Sequence, residues 1–246
     1  MCSIASFAFV EPLGSGQGMN DNDPEIKKLY TATMQITHQL ANELQVEAPA
    51  IEEIAPHGGR LRSVYTSRYF QPQAEKLDHS FIFTGPSIIP RKDAHSFPFE
   101  QLRVLHPQAV YISMGTILNK DLEFYKLCFA ASLIFRNWKC QHVDAFVTHA
   151  GMNSISEALY YNVPQVMIPL TSDQPIVASR VQELGAGVVV DKNKLTPASL
   201  RAALLEVLSH PTYKEQAHEI GESLRQADGY RHAADTIMSH FSTIEK

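Results

Sequence analysis

DAFVTHAGMNSISEALYYNVPQVMIPLTSDQ, from Asp144 to Gln174, is the stretch whose reading decides the fold. It reads as a buried strand, a tight glycine turn, a helix, a second buried strand and a second helix start. Ala145, Phe146 and Val147 form a short apolar run, the pattern of a parallel strand covered on both faces. His149-Ala150-Gly151 interrupts that run, and Gly151 is expected to take backbone angles that other residues avoid. Ser154 and Glu157 match the S-x-x-E spacing of a capping box, which predicts a helix opening there. A helix N-terminus just beyond the carboxyl end of a parallel strand presents unpaired N–H groups and partial positive charge. The stretch therefore predicts an anion site, most naturally for phosphate.

Working outward, 246 residues suffice for one large domain or two modest ones. With 44% hydrophobic and 19% charged residues, the chain can bury a core and lacks the composition of a disordered protein. A net charge of -5 with no concentrated basic stretch argues against a nucleic-acid partner. Cys2, Cys128 and Cys140 form no zinc or redox spacing, and Cys128, set among apolar residues, reads as a reduced core residue. That cysteine usage suits the cytoplasm. MCSIASFAFV lacks the basic start and cleavage site of a signal peptide. No apolar run approaches the ~20 residues that span a bilayer.

Before the central stretch, Ile4 to Val10 reads as a strand. A buried-type strand so early leads us to expect that related proteins carry further strands ahead of it. Gly14-Ser15-Gly16-Gln17-Gly18 resembles a dinucleotide fingerprint but places its third glycine where Met19 should be, so it reads as a loop. Asp23-Pro24 predicts a helix start, and Ile26, Leu29, Thr33, Ile36, Leu40 and Leu44 predict that one helix face lies on a core. Pro56-His57-Gly58-Gly59 reads as a turn; no G-x-S-x-G element accompanies it to make an esterase. Short strands are predicted over Ser63–Thr66 and Ser80–Thr84. Residues 91–108, rich in proline and poor in periodicity, read as an interdomain linker.

Ala109 to Met114 predicts another strand, followed by a helix from Asp121 to Ala131 with Leu122, Tyr125, Leu127 and Phe129 inward. Beyond the central stretch come a helix ending at Gly185, a strand at Gly187–Val190 and a helix opening at Thr196-Pro197. One last amphipathic helix is predicted from Thr212 to Phe241. Strands alternating with helices predict an α/β fold with parallel sheets.

FVTHAGMNSISEAL and IPLTSDQP, together with YISMGT, FYKLCF, TSRYFQP and FTGPSI, resemble the UDP-dependent glycosyltransferases of the GT-B superfamily, in the bacterial macrolide-glycosyltransferase branch. The resemblance implies a Rossmann-type donor-binding domain over residues 109–246, internally shortened near 131–142, and an incomplete N-terminal acceptor domain over 1–90. By the same resemblance Thr116, His149, Gly151, Asn153 and Ser154 would hold the donor diphosphate, Glu157 the ribose, and Asp173 and Gln174 the sugar. An ionised carboxylate such as Glu157 can accept from two neighbouring hydroxyls. From the residues alone, Ser154 and Glu157 are equally a helix cap, and Asp173 before Pro175 is equally a helix start. Trp138, in the shortened segment, reads as packing rather than as a stacking platform for uracil.

The implied donor is a UDP-sugar, the implied acceptor a small lipophilic molecule of macrolide or polyphenol type, and no metal or other cofactor is expected. No residue matches the family's catalytic base, whose loss removes a rate factor of typically ~10²–10⁴. The expectation is therefore a glycosyltransferase by family, with no catalytic residue assigned and no transfer by this chain alone. The alternative is a catalytically inactive, truncated remnant or a nucleotide-binding or interaction module, and a UDP-sugar epimerase ranks below both.

Overall fold

A computed structural model describes residues 2–5, 7–8, 24–48, 61–89, 108–115, 121–131, 143–171 and 173–244. The glycines of 14–18, His57-Gly58-Gly59, nearly all of the expected linker, Thr116, Trp138 and Cys140 lie outside the described residues.

Two parallel sheets organise the molecule. β1 (Cys2–Ala5), β2 (Leu61–Val64) and β3 (Phe81–Phe83) form one, in that order. β4 (Val110–Ser113), β5 (Ala145–Thr148), β6 (Gln165–Met167) and β7 (Gly187–Val189) form the other. Every pairing is parallel, with Ile112 opposite Val147 and Val147 opposite Val166 in the second sheet. The helices are α1 (Pro24–Leu44), α2 (Leu122–Ala130), α3 (Met152–Tyr160), α4 (Gln174–Glu183), α5 (Pro197–Ser209), α6 (Pro211–Gln226) and α7 (Gly229–Ile244). β3, β4 and β7 are a residue or two shorter than the runs that predicted them, as ladder ends usually are, whereas β1 and β2 each begin two residues before the expected start.

Apolar side chains from β5 leave alternately on its two faces. Ala145 and Val147 pack with Val166, Ile168, Leu200, Leu204 and Val207, and with Phe124 and Cys128 of α2. Phe146 turns the other way, onto Ala158 and Val163. On the face of α3, α4 and α6, a larger core joins Met152, Ile155, Leu159, Val177, Val181, Ile220 and Leu224. A strand covered on both sides has no room for polar alternation, which explains the continuous AFVT run. Cys128 is fully buried, and that burial pushes its thiol up to about 12, so it stays a protonated core residue.

The first sheet is tied into the larger core. Phe70, from the loop after β2, is fully buried there beside Phe7, the two ring centroids 5.3 Å apart. Gln71 exchanges two hydrogen bonds with the backbone of Ala8, at 2.9 and 2.7 Å. Ser67 Oγ meets Ser223 Oγ of α6 at 2.7 Å.

Three expectations about helices change. The expected single C-terminal helix is two, α6 and α7, because Asp228 and Gly229 both take positive φ, +61° and +56°. A side chain on Gly229 would place its Cβ 2.8 Å from the Pro86 carbonyl oxygen, so docking against the end of the first sheet imposes the break. In α2, Asp121 caps the helix by accepting from Phe124 N at 3.0 Å, and the phase so set buries Phe124 and Cys128. Leu122 and Phe129, expected inward, are exposed. In α1, Ile36, Leu40 and Leu44 are also exposed, and among the described side chains of this helix Ala41 is buried. Periodicity located both helices, but it cannot say which side meets a neighbour.

Candidate active site at the carboxyl ends of β4 to β6

The site grows from the end of β5. Thr148 is fully buried, and its carbonyl accepts from Ile168 N at 2.8 Å, keeping the strand paired to its last residue. Ala150 then adopts φ +66°, the left-handed conformation expected of Gly151, and its N–H donates to Thr148 Oγ1 at 3.3 Å. Gly151 has an ordinary φ of -63° and is the N-cap of α3. Its smallness serves a close approach instead: a Cβ there would lie 2.5 Å from His149 Nε2. Gly115, just after β4, makes a second close approach: a Cβ there would lie 2.7 Å from His149 Cε1. The imidazole thus lies close against two glycines.

The expected capping box does not form. Ser154 sits three residues into α3 and Glu157 in mid-helix, while no side chain caps Gly151. Ile155 N donates to Gly151 O at 3.0 Å, and the preceding amides, of Met152, Asn153 and Ser154, have no acceptor within the helix. Asn153 is exposed, whereas Gly151, Ser154 and Glu157 are half-buried. Asn153 and Glu157, four residues apart, share one helix face. No acidic residue occupies the first turn to neutralise the positive end of the dipole.

His149 is half-buried, and its Nδ1 is buried without a hydrogen-bond partner. Burial holds its pKa below the ordinary value, against the opposing pull of the Ser113 carbonyl and the Asp173 carboxylate. The Asp173 carboxylate is therefore near enough for its charge to act on the imidazole. Asp173 occupies the N-cap of α4, yet its side chain makes no capping bond, so the helix-start reading does not account for the carboxylate. Gln174 beside it is buried, and its Oε1 accepts from Leu170 N at 2.8 Å and Thr171 N at 3.1 Å. Two backbone donors identify that atom as the amide oxygen, leaving the NH₂ as the group with further donors to offer. Gln174 shapes the loop into α4.

Of the residues predicted for the site, His149, Gly151, Asn153, Ser154, Glu157, Asp173 and Gln174 gather along the starts of α3 and α4; Thr116 lies outside the described residues. Sequence reasoning passed over Gly115 and the Ser113 carbonyl as parts of the site. The glycine closing YISMGT was the available signal, but its contact with His149 spans two strands. Among the described residues, no group of three His, Cys, Asp or Glu side chains is placed to hold a metal ion, and no helix is long and apolar enough to cross a membrane.

Comparisons with known proteins point to one family. A family model described as UDP-glucoronosyl and UDP-glucosyl transferase matches residues 139–225, which contain the starts of both α3 and α4. The uncharacterized UDP-glucosyltransferase YojK of Bacillus subtilis (strain 168) is 34% identical over 85% of this chain and 59% of its own length. The crystal structure of the glycotransferase of kitacinnamycin superposes with a TM-score of 0.74 at 26% identity, covering 89% of this chain and 63% of that one. CalG4, the calicheamicin glycosyltransferase, gives 0.70 at 22% identity, covering 94% of this chain and 69% of its own, a likeness of fold. The chain thus spans about six-tenths of the length of YojK. With two parallel sheets, an open helix start and these relatives in agreement, the chain belongs to the UDP-glycosyltransferases of the GT-B superfamily.

Proposed function

We propose that this chain binds the donor of a hexosyl transfer, a UDP-sugar, with the diphosphate at the start of α3 and the hexose beside Asp173. The observation that carries the reading is His149, packed closely against Gly115 and Gly151 at a helix start that no side chain caps. Breaking the sugar–phosphate bond leaves negative charge on the departing diphosphate. The free amides and dipole of α3 stabilise that charge where it develops, and an imidazole N–H adds one more donor. Thr116 and Ser154 add hydroxyl donors, and Glu157 accepts from the ribose hydroxyls. Asp173 accepts from the sugar hydroxyls, and the Gln174 NH₂ donates to them. The charge is met by N–H groups, so no metal is assigned to it.

The acceptor in this reading is a hydroxyl of a small lipophilic molecule of macrolide or polyphenol type, and transfer inverts the anomeric centre. No residue of this chain is assigned as the base that would deprotonate it, and a cytoplasmic setting, where UDP-sugars are made, suits the reaction. The second reading, a nucleotide-binding module without turnover, is favoured by that missing assignment.

Calorimetric titration with UDP, with His149→Ala alongside, tests the first reading: binding by the parent protein and its loss in the variant is the expected result. No heat at millimolar UDP from the folded protein would overturn it. Turnover of UDP-glucose with a hydroxylated acceptor, abolished by His149→Ala, would overturn the module reading.

A further inference from the structure

Arg180 lies in the last turn of α4, seven residues after Asp173. Seven residues are two helical turns, about 10 Å, so both residues lie along one stripe of the helix. The Arg180 guanidinium engages all three of its nitrogens. Nε donates to the Phe70 carbonyl at 3.0 Å, Nη2 to the Tyr69 carbonyl at 2.9 Å, and Nη1 to the Glu183 carboxylate at 2.8 Å. The Arg180 side chain is only 14% exposed; its bond to Phe70 is partly buried, whereas those to Tyr69 and Glu183 face solvent. The two carbonyls belong to the loop after β2, in the other sheet, and Phe70 of that loop is buried against the same core as Val177 and Val181 of α4. A planar fork can hold two successive carbonyls at once; an ammonium group cannot reproduce that geometry.

We propose that Arg180 is a positioning residue that fixes α4, and with it the Asp173 carboxylate, against the loop after β2 of the first sheet. The diphosphate end of the site, built on β5 and α3, does not depend on this grip. The sugar end does. The consequence for ligands rests on the donor-site reading given above, whereas the grip itself does not.

Two measurements on the full chain test it. In native-state hydrogen exchange, Arg180→Lys should release the amides of residues 67–71 and 173–178 together. Ser223→Ala, which removes the separate Ser67–Ser223 bond between the same two regions, should release 67–71 alone. Release confined to 67–71 in both variants would overturn the proposal. In titrations, Arg180→Lys should bind UDP as the parent does and UDP-glucose about tenfold more weakly, the scale of a displaced charge-assisted contact. Equal weakening of both ligands would overturn it as well. Should the parent bind neither nucleotide, the donor-site reading falls, and the exchange pattern still decides the role of Arg180. If Arg180→Lys does not fold, Glu183→Ala, which removes the acceptor of Nη1, is read for the same joint release at smaller amplitude.

Discussion

Two helix starts in the second sheet's half of the molecule make an instructive contrast. At α5, Thr196 Oγ1 accepts from Ser199 N at 3.0 Å while Ser199 Oγ accepts from Thr196 N at 2.9 Å, a reciprocal box that satisfies the end from within. At α3, Gly151 supplies no side chain, no acid stands in the first turn, and an imidazole is packed against the opening. The first start is finished by its own sequence. The second is complete only with an external acceptor, which is why it reads as a binding site.

The substitution expected to break this contrast most strongly is Gly151→Ala. Its Cβ would meet His149 Nε2 at 2.5 Å, so the ring would have to leave its place at the start of α3. Titration should show UDP affinity lower by about 100-fold, or roughly 2.7 kcal/mol; unchanged affinity would mean that the imidazole is not part of the site. Gln174→Ala comes next. It strips the acceptor from Leu170 N and Thr171 N, for an expected loss of about 1–2 kcal/mol in denaturant unfolding. UDP-glucose should weaken more than UDP, and an equal effect on both would count against a sugar-side role for the loop.

The closed start supplies the control. Thr196→Ala should cost about 1 kcal/mol of stability, the usual value of a lost cap, and leave UDP titration unchanged. Altered UDP binding there would dissolve the distinction between the two helix ends. The smallest effect concerns protons. His149 binds a proton less readily in the folded protein than its ordinary value of 6.5, so the unfolded chain takes up more protons as the pH falls below that value. Stability should therefore be fully present above 6.5 and decline below it through this group. A melting series of the parent against His149→Gln checks it: the parent should lose more on acidification.

The two starts also mark how far the sequence could be read. Ser154 and Glu157 have the S-x-x-E spacing, yet α3 opens at Met152 and the pair caps nothing. Thr196 and Ser199 do form the box, with a serine in the place where glutamate or glutamine is customary. Spacing describes which bonds a helix start can make. Which residue stands at the start depends on where the preceding strand stops, and β5 stops at Thr148 because Met167 and Ser113 beside it end their pairing there. The left-handed turn residue likewise turned out to be Ala150, with Gly151 reserved for the imidazole.

The order of strands and helices, the parallel arrangement, the burial of β5 and Cys128 and the run of polar residues at the start of α3 were all determined by the sequence itself. They follow from local periodicity and composition, which act over a few residues. The tertiary structure alone decided that Gly115 and Gly151 crowd His149, that the Asp173 charge acts on it, that Arg180 holds the loop after β2, and that α1 and α2 turn Leu40 and Phe129 outward. Each of those joins elements distant in the chain or depends on which neighbour a helix face meets. Local patterning limits such contacts, but only the packing of the whole chain selects among them.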